Sequence, residues 1–358
     1  MSRDPGSVSS ARVIAGVVGA LLTLVAVATL AFGVGVAAYN APGPRAKPGA
    51  STTVILRKGA GVTEIGATLK RQGAIASSSA FALAAQLTGA ARGLKPGEYE
   101  FPSRASLGAV LRKVRAGDIV HHRVTVAEGL TSQQAVDLLN ASPVLTGDAP
   151  TPAEGAILPE TYDVVRGEGR SAVLQRMMDA RDRLLAALWT KRQPGLPYAT
   201  PDEAVTMASI VEKETAVAGE RPRVAAVYLN RLRIGMKLDA DPTLIYGITK
   251  GAPLGRGLKM SELQADVPYN TYVRPGLPPT PIGNPGRASL AAVLDPPKTE
   301  ELYFVADGSG GHAFARTIEE QTANVAKWRA IEKARAAQPK TATTTTSTTA
   351  TTVKTVGR

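Results

Sequence analysis

From Val13 to Ala38 the chain carries no charged side chain and is built mainly of Val, Ala, Leu and Gly. At about 1.5 Å per residue, a helix of that length reaches roughly 39 Å, enough to cross a bilayer core with some tilt. The apolar part of a cleaved signal peptide runs only about 7–15 residues, so the pattern predicts an uncleaved transmembrane helix over 13–38, with residues 1–12 before it. Arg3 and Arg12 precede the span and Arg45 and Lys47 follow it, a near balance that leans slightly toward an inside N-terminus. Residues 39–51 contain Pro42, Pro44 and Pro48 and read as a linker lifting the next domain off a membrane.

The pattern then changes to short strands and amphipathic helices. Val54-Ile-Leu-Arg-Lys-Gly59 is a β-rich run and a Gly turn, followed by a helical pattern through Leu69. Val124-Thr-Val-Ala-Glu-Gly129 repeats that order, with a helical pattern through Leu139. Between the two, Gly93 to Phe101 reads as a turn and strand and Ser106 to Val114 as a helix. Residues 52–150 therefore predict a small α+β module without an evident catalytic constellation. A larger α+β domain is expected over 151–335. It opens with Glu154-Gly155-Ala-Ile-Leu-Pro159-Glu-Thr-Tyr162, followed by a long amphipathic helix over roughly 171–191. Residues 336–358 form a Thr-rich run with no apolar periodicity, expected to be disordered.

The segment from Thr200 is the most unusual. Thr200 suits an N-cap, Pro201 the first helical position, and Glu203 a capping box. The helical pattern runs to Val217. At 100° per residue, Val205, Ala208, Ser209, Glu212 and Ala216 share one face, with Met207, Ile210, Glu214 and Val217 opposite. Both faces are largely apolar, so the helix should be buried on most sides, yet it carries Glu212, Lys213 and Glu214 in succession. Small residues beside Glu212 leave room for a ligand, and a low-dielectric pocket there would raise its pKa toward that of a general acid. The alternative is that all three charges emerge at the helix end into solvent or simple ion pairs.

Composition changes the picture in two ways. The 358 residues include no cysteine, which excludes disulfides, thiolate metal sites and cysteine catalysis. The net charge of +12 suits either an anionic partner or a merely soluble basic surface. The membrane span and the lack of a recognised motif argue against nucleic acid. Downstream of the buried helix, Tyr, Asn and Thr recur in Gly/Pro-shaped loops, a setting for a hydroxyl-rich ligand or for ordinary turns.

The motifs taken together resemble a known family. Ala208-Ser-Ile-Val-Glu-Lys-Glu-Thr215, Asn230-Arg-Leu232, Asp241-Pro-Thr243 with Tyr246-Gly247, Tyr269-Asn-Thr-Tyr272, Gly276-Leu-Pro-Pro279 and Leu302-Tyr-Phe-Val-Ala306 are similar to the endolytic murein transglycosylases, the YceG-like family. The resemblance covers roughly Val54 to Trp328. It implies a LysM-like module over 52–150, a catalytic transglycosylase domain over 151–335, and a single-pass protein of the bacterial inner membrane with its C-terminal domains on the periplasmic side. The implied activity is that of a lyase with no cofactor and no metal. It cleaves the bond between N-acetylmuramic acid and N-acetylglucosamine in nascent peptidoglycan strands, leaves 1,6-anhydro ends and so terminates strand elongation. Glu212 is the implied catalytic residue, with Glu154, Thr243, Tyr246, Asn270 and Tyr272 expected at the substrate. Implied partners are peptidoglycan glycan strands, the membrane and peptidoglycan synthases. Leu158-Pro159-Glu160-Thr161-Tyr162 departs from the family's usual Phe-Pro-Asp-Thr-Tyr, which leaves the role of Glu160 open.

Three rival readings remain. The first is a non-catalytic, membrane-anchored peptidoglycan-binding protein. The second is a serine hydrolase built on Ser309 and His312, which lie three apart in a glycine-rich turn without a nucleophile-elbow pattern. The third is a metal site at His121 and His122, which as neighbours in a strand would point to opposite faces.

Overall fold

The computed structural model describes residues 6–46 and 49–337. Most of the Thr-rich tail, together with Arg3 and Lys47, lies outside the described residues. The N-terminal helix α1 spans Gly6–Asn40, and within Arg12–Asn40 its most apolar 18 residues have a mean hydropathy of 2.5, none of them buried. It is long and apolar enough to cross a membrane.

The rest is a mixed α+β arrangement divided into two compact units. One comprises Met1–Thr125, Val136–Pro150 and Thr161–Gln175; the other comprises Val126–Ala135, Thr151–Glu160 and Arg176–Arg358. This differs from a single cut at residue 150.

In the first unit, β1 (Ser51–Leu56), α2 (Val62–Arg71), α3 (Ser78–Leu87) and β2 (Gly97–Pro102) form a β-α-α-β arrangement. The two strands pair antiparallel, Ser51 opposite Pro102 and Leu56 opposite Gly97. Alternation turns Val54 and Leu56 inward against Ile65, Leu69 and Phe81, while Tyr99 stacks on Phe101 at 5.9 Å between centroids. Ser77 caps α3 by accepting from the Ala80 N–H. After β2 come α4 (Leu107–Ala116), which Ser106 caps in the same way, β3 (His121–Thr125) and β4 (Thr161–Val165); α5 (Ser132–Ala141) and α6 (Arg170–Thr190) each belong partly to this unit and partly to the second. β3 pairs antiparallel with β4, His121 opposite Val165. The echo along the sequence is therefore local: β1 and β3 resemble each other but pair with different partners.

Residues 39–46 are not a free spacer. The Tyr39 ring packs against α4 so closely that a Cβ at Gly108 would fall 2.4 Å from it. The Gly43 N–H donates to Arg104 O (3.1 Å) and the Arg104 N–H to Pro44 O (2.9 Å). Prolines suggest a spacer by composition, but these contacts dock the segment onto its module. His122 and Arg166 both reach the buried Glu98 carboxylate, at 2.6 and 2.9 Å. Burial pushes the Glu98 carboxyl up, but those two partners outweigh it and leave it below its ordinary value.

The second unit is organised around α7 (Pro201–Glu214), followed by α8 (Arg221–Arg233), α9 (Asp241–Thr249), α10 (Met260–Leu263), α11 (Arg287–Leu294), β5 (Tyr303–Ala306), β6 (His312–Ala315) and α12 (Ile318–Ala337). α7 packs against both α8 and α11. Ala204 to Val211 are buried on every face of the helix, as the two apolar faces predict. Met207, Ile210, Tyr228, Leu229, Leu290 and Val293 fill the surrounding core.

Candidate active site

Thr200 caps α7 and Pro201 opens it, as the sequence predicts. Thr200 Oγ1 accepts from the Glu203 N–H (3.3 Å), but Glu203 Oε2 reaches past the cap to accept from the Ala199 N–H (2.6 Å), so the expected capping box does not close on Thr200. Its other end differs from the expectation. The helix stops at Glu214 rather than continuing to Val217, and Thr215 is extended at φ −134°. Thr215 Oγ1 takes the Val217 N–H (3.0 Å) and donates to Glu220 Oε2 (3.2 Å), so the hydroxyl competes with the helical ladder. The early stop lets the chain turn back and open α8 at Arg221, facing Glu212.

Glu212 is held at two points. Arg221 Nη2 donates to Oε1 at 2.8 Å, and the Gly286 N–H at the N-cap of α11 donates to Oε2 at 2.9 Å. The Glu212 side chain is 4% exposed. The room that small neighbours leave beside it is thus taken by a guanidinium and a helix N-terminus, both favourable to negative charge. Arg221 Nη2 also donates to Glu128 Oε2 at 3.1 Å.

Glu128 lies just before Gly129, whose φ of +77° favours glycine. The Gly129 N–H donates to Asn284 O and the Asn284 N–H to Leu130 O, both at 2.8 Å, so residues 129–130 pair with the loop leading into α11. The buried Asn284 side chain completes the junction. Its Oδ1 accepts from the Ile157 N–H (3.0 Å), and its Nδ2 donates to Leu130 O (3.0 Å) and Ser132 Oγ (3.2 Å). Ser209 Oγ, from α7, accepts from the Ile282 N–H at 3.0 Å.

Of the residues expected at the substrate, Glu154 shares the influence of Lys213 with Glu212, and Tyr246 feels the charge of Glu154. Glu154 accepts from the Ser132 N–H at 3.1 and 3.2 Å. Burial lifts its carboxyl above the ordinary value despite that bond and the charge of Lys213. Desolvation likewise lowers the Lys213 ammonium, against the pull of Glu212 and Glu154. Desolvation also pushes the Tyr246 phenol up to about 12, and the Tyr246 ring meets Tyr269 edge-on at 5.1 Å. Lys250 Nζ stands 5.2 Å from the Tyr246 ring and 4.5 Å from that of Tyr269. Glu154 also lines a cleft of about 700 Å³ together with Gly155, Thr206, Leu277, Pro279 and Pro281.

Thr243, Asn270 and Tyr272 spend their polar groups on neighbouring residues. Thr243 is fully buried, donating to Ala240 O (2.7 Å) and meeting Thr271 Oγ1 (3.0 Å). Asn270 is also fully buried and gives its amide to three carbonyls, those of Glu262, Leu263 and Ala265. Tyr272 donates to Asp241 Oδ1 at 2.5 Å. Burial and that bond raise its phenol well above the ordinary value. Polar side chains in turns served here to hold the turns, because a buried polar atom must find a partner and the nearest are backbone carbonyls.

Glu214 faces this second group. The Tyr228 hydroxyl donates to its Oε1 at 2.6 Å. Desolvation outweighs that bond and raises the carboxyl from 4.5 to about 7. A group whose folded value is raised contributes stability that is fully present below pH 4.5 and is lost as pH rises through about 7. The difference corresponds to about 3 kcal/mol. Chemical denaturation of wild type and Glu214→Gln from pH 5 to 8 should therefore show the wild type losing ground steadily as pH rises. Parallel curves would refute the assignment.

Ser309 and His312 do not pair. Ser309 Oγ donates to Asp307 Oδ1 (2.7 Å), whereas His312 Nδ1 meets Glu220 Oε2 (2.7 Å).

Reasoning from sequence alone missed Arg221, Glu128, Asn284 and Gly286. The Glu-Gly turn and the Pro/Gly loop were visible, but only as turns. A chain beginning at Pro150 lacks Glu128, Gly129 and Ser132, so it should release no products from glycan strands. Retained cleavage by that shortened chain would show these residues to be dispensable.

Comparison with known proteins places the chain. The YceG-like family matches residues 54–327. The chain belongs to that family. An endolytic murein transglycosylase of Bacillus subtilis (strain 168) is 26% identical over 303 residues, covering 75% of this chain and 82% of that protein. One of Streptococcus pneumoniae serotype 2 (strain D39) is 27% identical over 325 residues, covering 77% of this chain and 58% of that protein. A crystal structure of a YceG-like protein from Listeria monocytogenes is 27% identical, with a TM-score of 0.47 over 76% of this chain and 98% of that one.

Proposed function

We propose that this chain is an endolytic murein transglycosylase, a lyase that cuts peptidoglycan glycan strands, with Glu212 as its acid/base. The observation that carries the reading is Glu212 itself: a nearly buried carboxylate at the end of a buried helix, held by Arg221 and the Gly286 N–H. The Arg221 pair offsets the cost of burying the carboxylate, and contacts from two separate elements fix its orientation, as a positioned proton-transfer group requires.

In the proposed reaction, protonated Glu212 gives its proton to the oxygen leaving N-acetylmuramic acid. The 2-acetamido group of the substrate stabilises the positive charge developing at the anomeric carbon. The resulting carboxylate then takes the proton from the C6 hydroxyl of the same sugar, whose oxygen closes a 1,6-anhydro ring. No water is consumed. One carboxyl group suffices because the nucleophile is intramolecular, whereas hydrolytic glycosidases use two. The Glu154-lined cleft is of a size that accommodates part of a glycan; its walls come from the start of α7 and from residues 276–281, and neither Glu212 nor Tyr246 lines it. In this reading Glu154 and Tyr246 meet the sugar, while Thr243, Asn270 and Tyr272 act by holding the loops around it.

The apolar α1 and the β-α-α-β arrangement of the first unit support a single-pass anchor of the cytoplasmic membrane, with a LysM-like module on the periplasmic side. Mass spectrometry of products from purified glycan strands tests the function. Anhydro ends support it, reducing ends indicate a hydrolase, and no cleavage indicates a binding protein.

A further inference from the structure

The bonding at Glu212 poses a chemical problem. A carboxylate accepting from a guanidinium and a backbone N–H is arranged as a base, yet the first half of the proposed reaction requires it to carry a proton. Something must loosen the hold of Arg221. The structure offers one group to do so. Glu128 Oε2 accepts from the same Arg221 Nη2 that bonds Glu212 Oε1, at 3.1 and 2.8 Å. Because both bonds end on one nitrogen, the two carboxylates stand within about 6 Å of each other, where like charges disfavour double ionisation.

Three further observations bear on this. Glu128 is the more exposed partner, its side chain 40% accessible against 4% for Glu212, so Arg221 can follow it outward. Arg221 Nε is buried with no partner among the described residues, so the guanidinium is not locked by a full set of acceptors. Glu128 also lies directly over Gly286, where a Cβ would come within 1.8 Å of Glu128 Oε1. The glycine that supplies the second N–H to Glu212 is thus also the residue whose lack of a side chain gives Glu128 its place.

We propose that Glu128 is a positioning residue of the reaction: by sharing the Arg221 guanidinium with Glu212, it keeps Glu212 able to take up the proton that it donates. The proposal rests on the reading of Glu212 as the acid/base. Other charged groups face the same point. Lys213 follows Glu212 on α7, Glu154 lies beside Lys213, and Arg287 opens α11 but pairs with Glu160 at 3.1 Å. None of these bonds Arg221, so among the described residues only Glu128 competes for it directly.

The sign follows from charge. Replacing Glu128 with Gln removes a negative neighbour and leaves Arg221 wholly to Glu212. The Glu212 carboxylate is then favoured, and fewer molecules carry the proton at a given pH. Replacing Arg221 with Gln acts in the opposite direction.

The test measures release of cleaved ends by the full-length protein in detergent, from purified glycan strands, between pH 5 and 9. Glu128→Gln should move the optimum toward acid by about one pH unit, with turnover about tenfold lower near neutrality and recovery at low pH. Glu128→Asp should restore the wild-type profile, and Arg221→Gln should move it toward alkali. Gly286→Ala must displace the flexible Glu128 side chain, so it should reproduce the Glu128→Gln shift even if Glu128→Gln fails to fold. An unchanged optimum in Glu128→Gln, or a loss equal at every pH, overturns the proposal. Glu212→Gln serves as the separating control. If it still cleaves, the reading of Glu212 fails. If it is inactive while Glu128→Gln keeps the wild-type profile, only the role of Glu128 fails.

Discussion

Glu212→Gln should lower turnover by about 10²–10⁴-fold, the usual contribution of a positioned proton-transfer group. The amide keeps the size of the side chain, and its carbonyl can still accept from the Gly286 N–H. Arg221 is left with Glu128, so its charge stays paired. The amide NH2 then faces the Arg221 guanidinium, donor against donor, so stability should fall by about 1–3 kcal/mol. Binding of glycan should persist, because the cleft beside Glu154 is untouched. Glu214→Gln is the internal control. It lies two residues on and faces Tyr228, so it should alter the pH dependence of stability and leave turnover near wild type. A folded Glu212→Gln protein that forms anhydro ends at the wild-type rate would remove the basis for the proposed function.

The second large effect is expected at Asn284. Its side chain satisfies the Ile157 N–H, Leu130 O and Ser132 Oγ from a fully buried position. Asn284→Ala strands the Ile157 N–H, while Leu130 O keeps the backbone N–H of residue 284 and Ser132 Oγ keeps Ala153 O. The expected cost is about 2 kcal/mol, a loss of roughly 4–8 °C in Tm for a unit of this size. The backbone pairing of Gly129 and Leu130 with residue 284 does not involve the side chain, so the fold should survive. Turnover should fall as well, because the same junction carries both Glu128 and Gly286. A melting temperature within a degree or two of wild type would show that the junction tolerates the loss.

Much of the fold was legible along the chain. The uncharged run in α1, the helix opening at Ser106 and the Thr200-Pro201 start of α7 each depend on residues a few positions apart, whereas α3 was not read from the sequence. Local spacing determines such features, because a helix period or a capping bond closes within a turn or two. Glu212 was legible for the same reason: a charge among residues apolar on both helix faces is a local contradiction.

Only the tertiary structure decided what surrounds Glu212. The Arg221 contact with Glu128 joins residues 93 apart in sequence, and the Gly286 contact with Glu212 joins residues 74 apart. The first depends on α7 ending at Glu214, which the apolar pattern continuing to Val217 conceals. Which partner a loop Tyr, Asn or Thr finds was equally hidden: Asn270 gives its amide to three backbone carbonyls, whereas the Tyr246 ring meets Tyr269. The docked segment 39–46 makes the same point, since prolines set the backbone angles but not what the chain rests against. Periodicity reports which face of an element is apolar. Which charged groups meet across two such elements follows from how their cores pack, and that is a property of the whole chain.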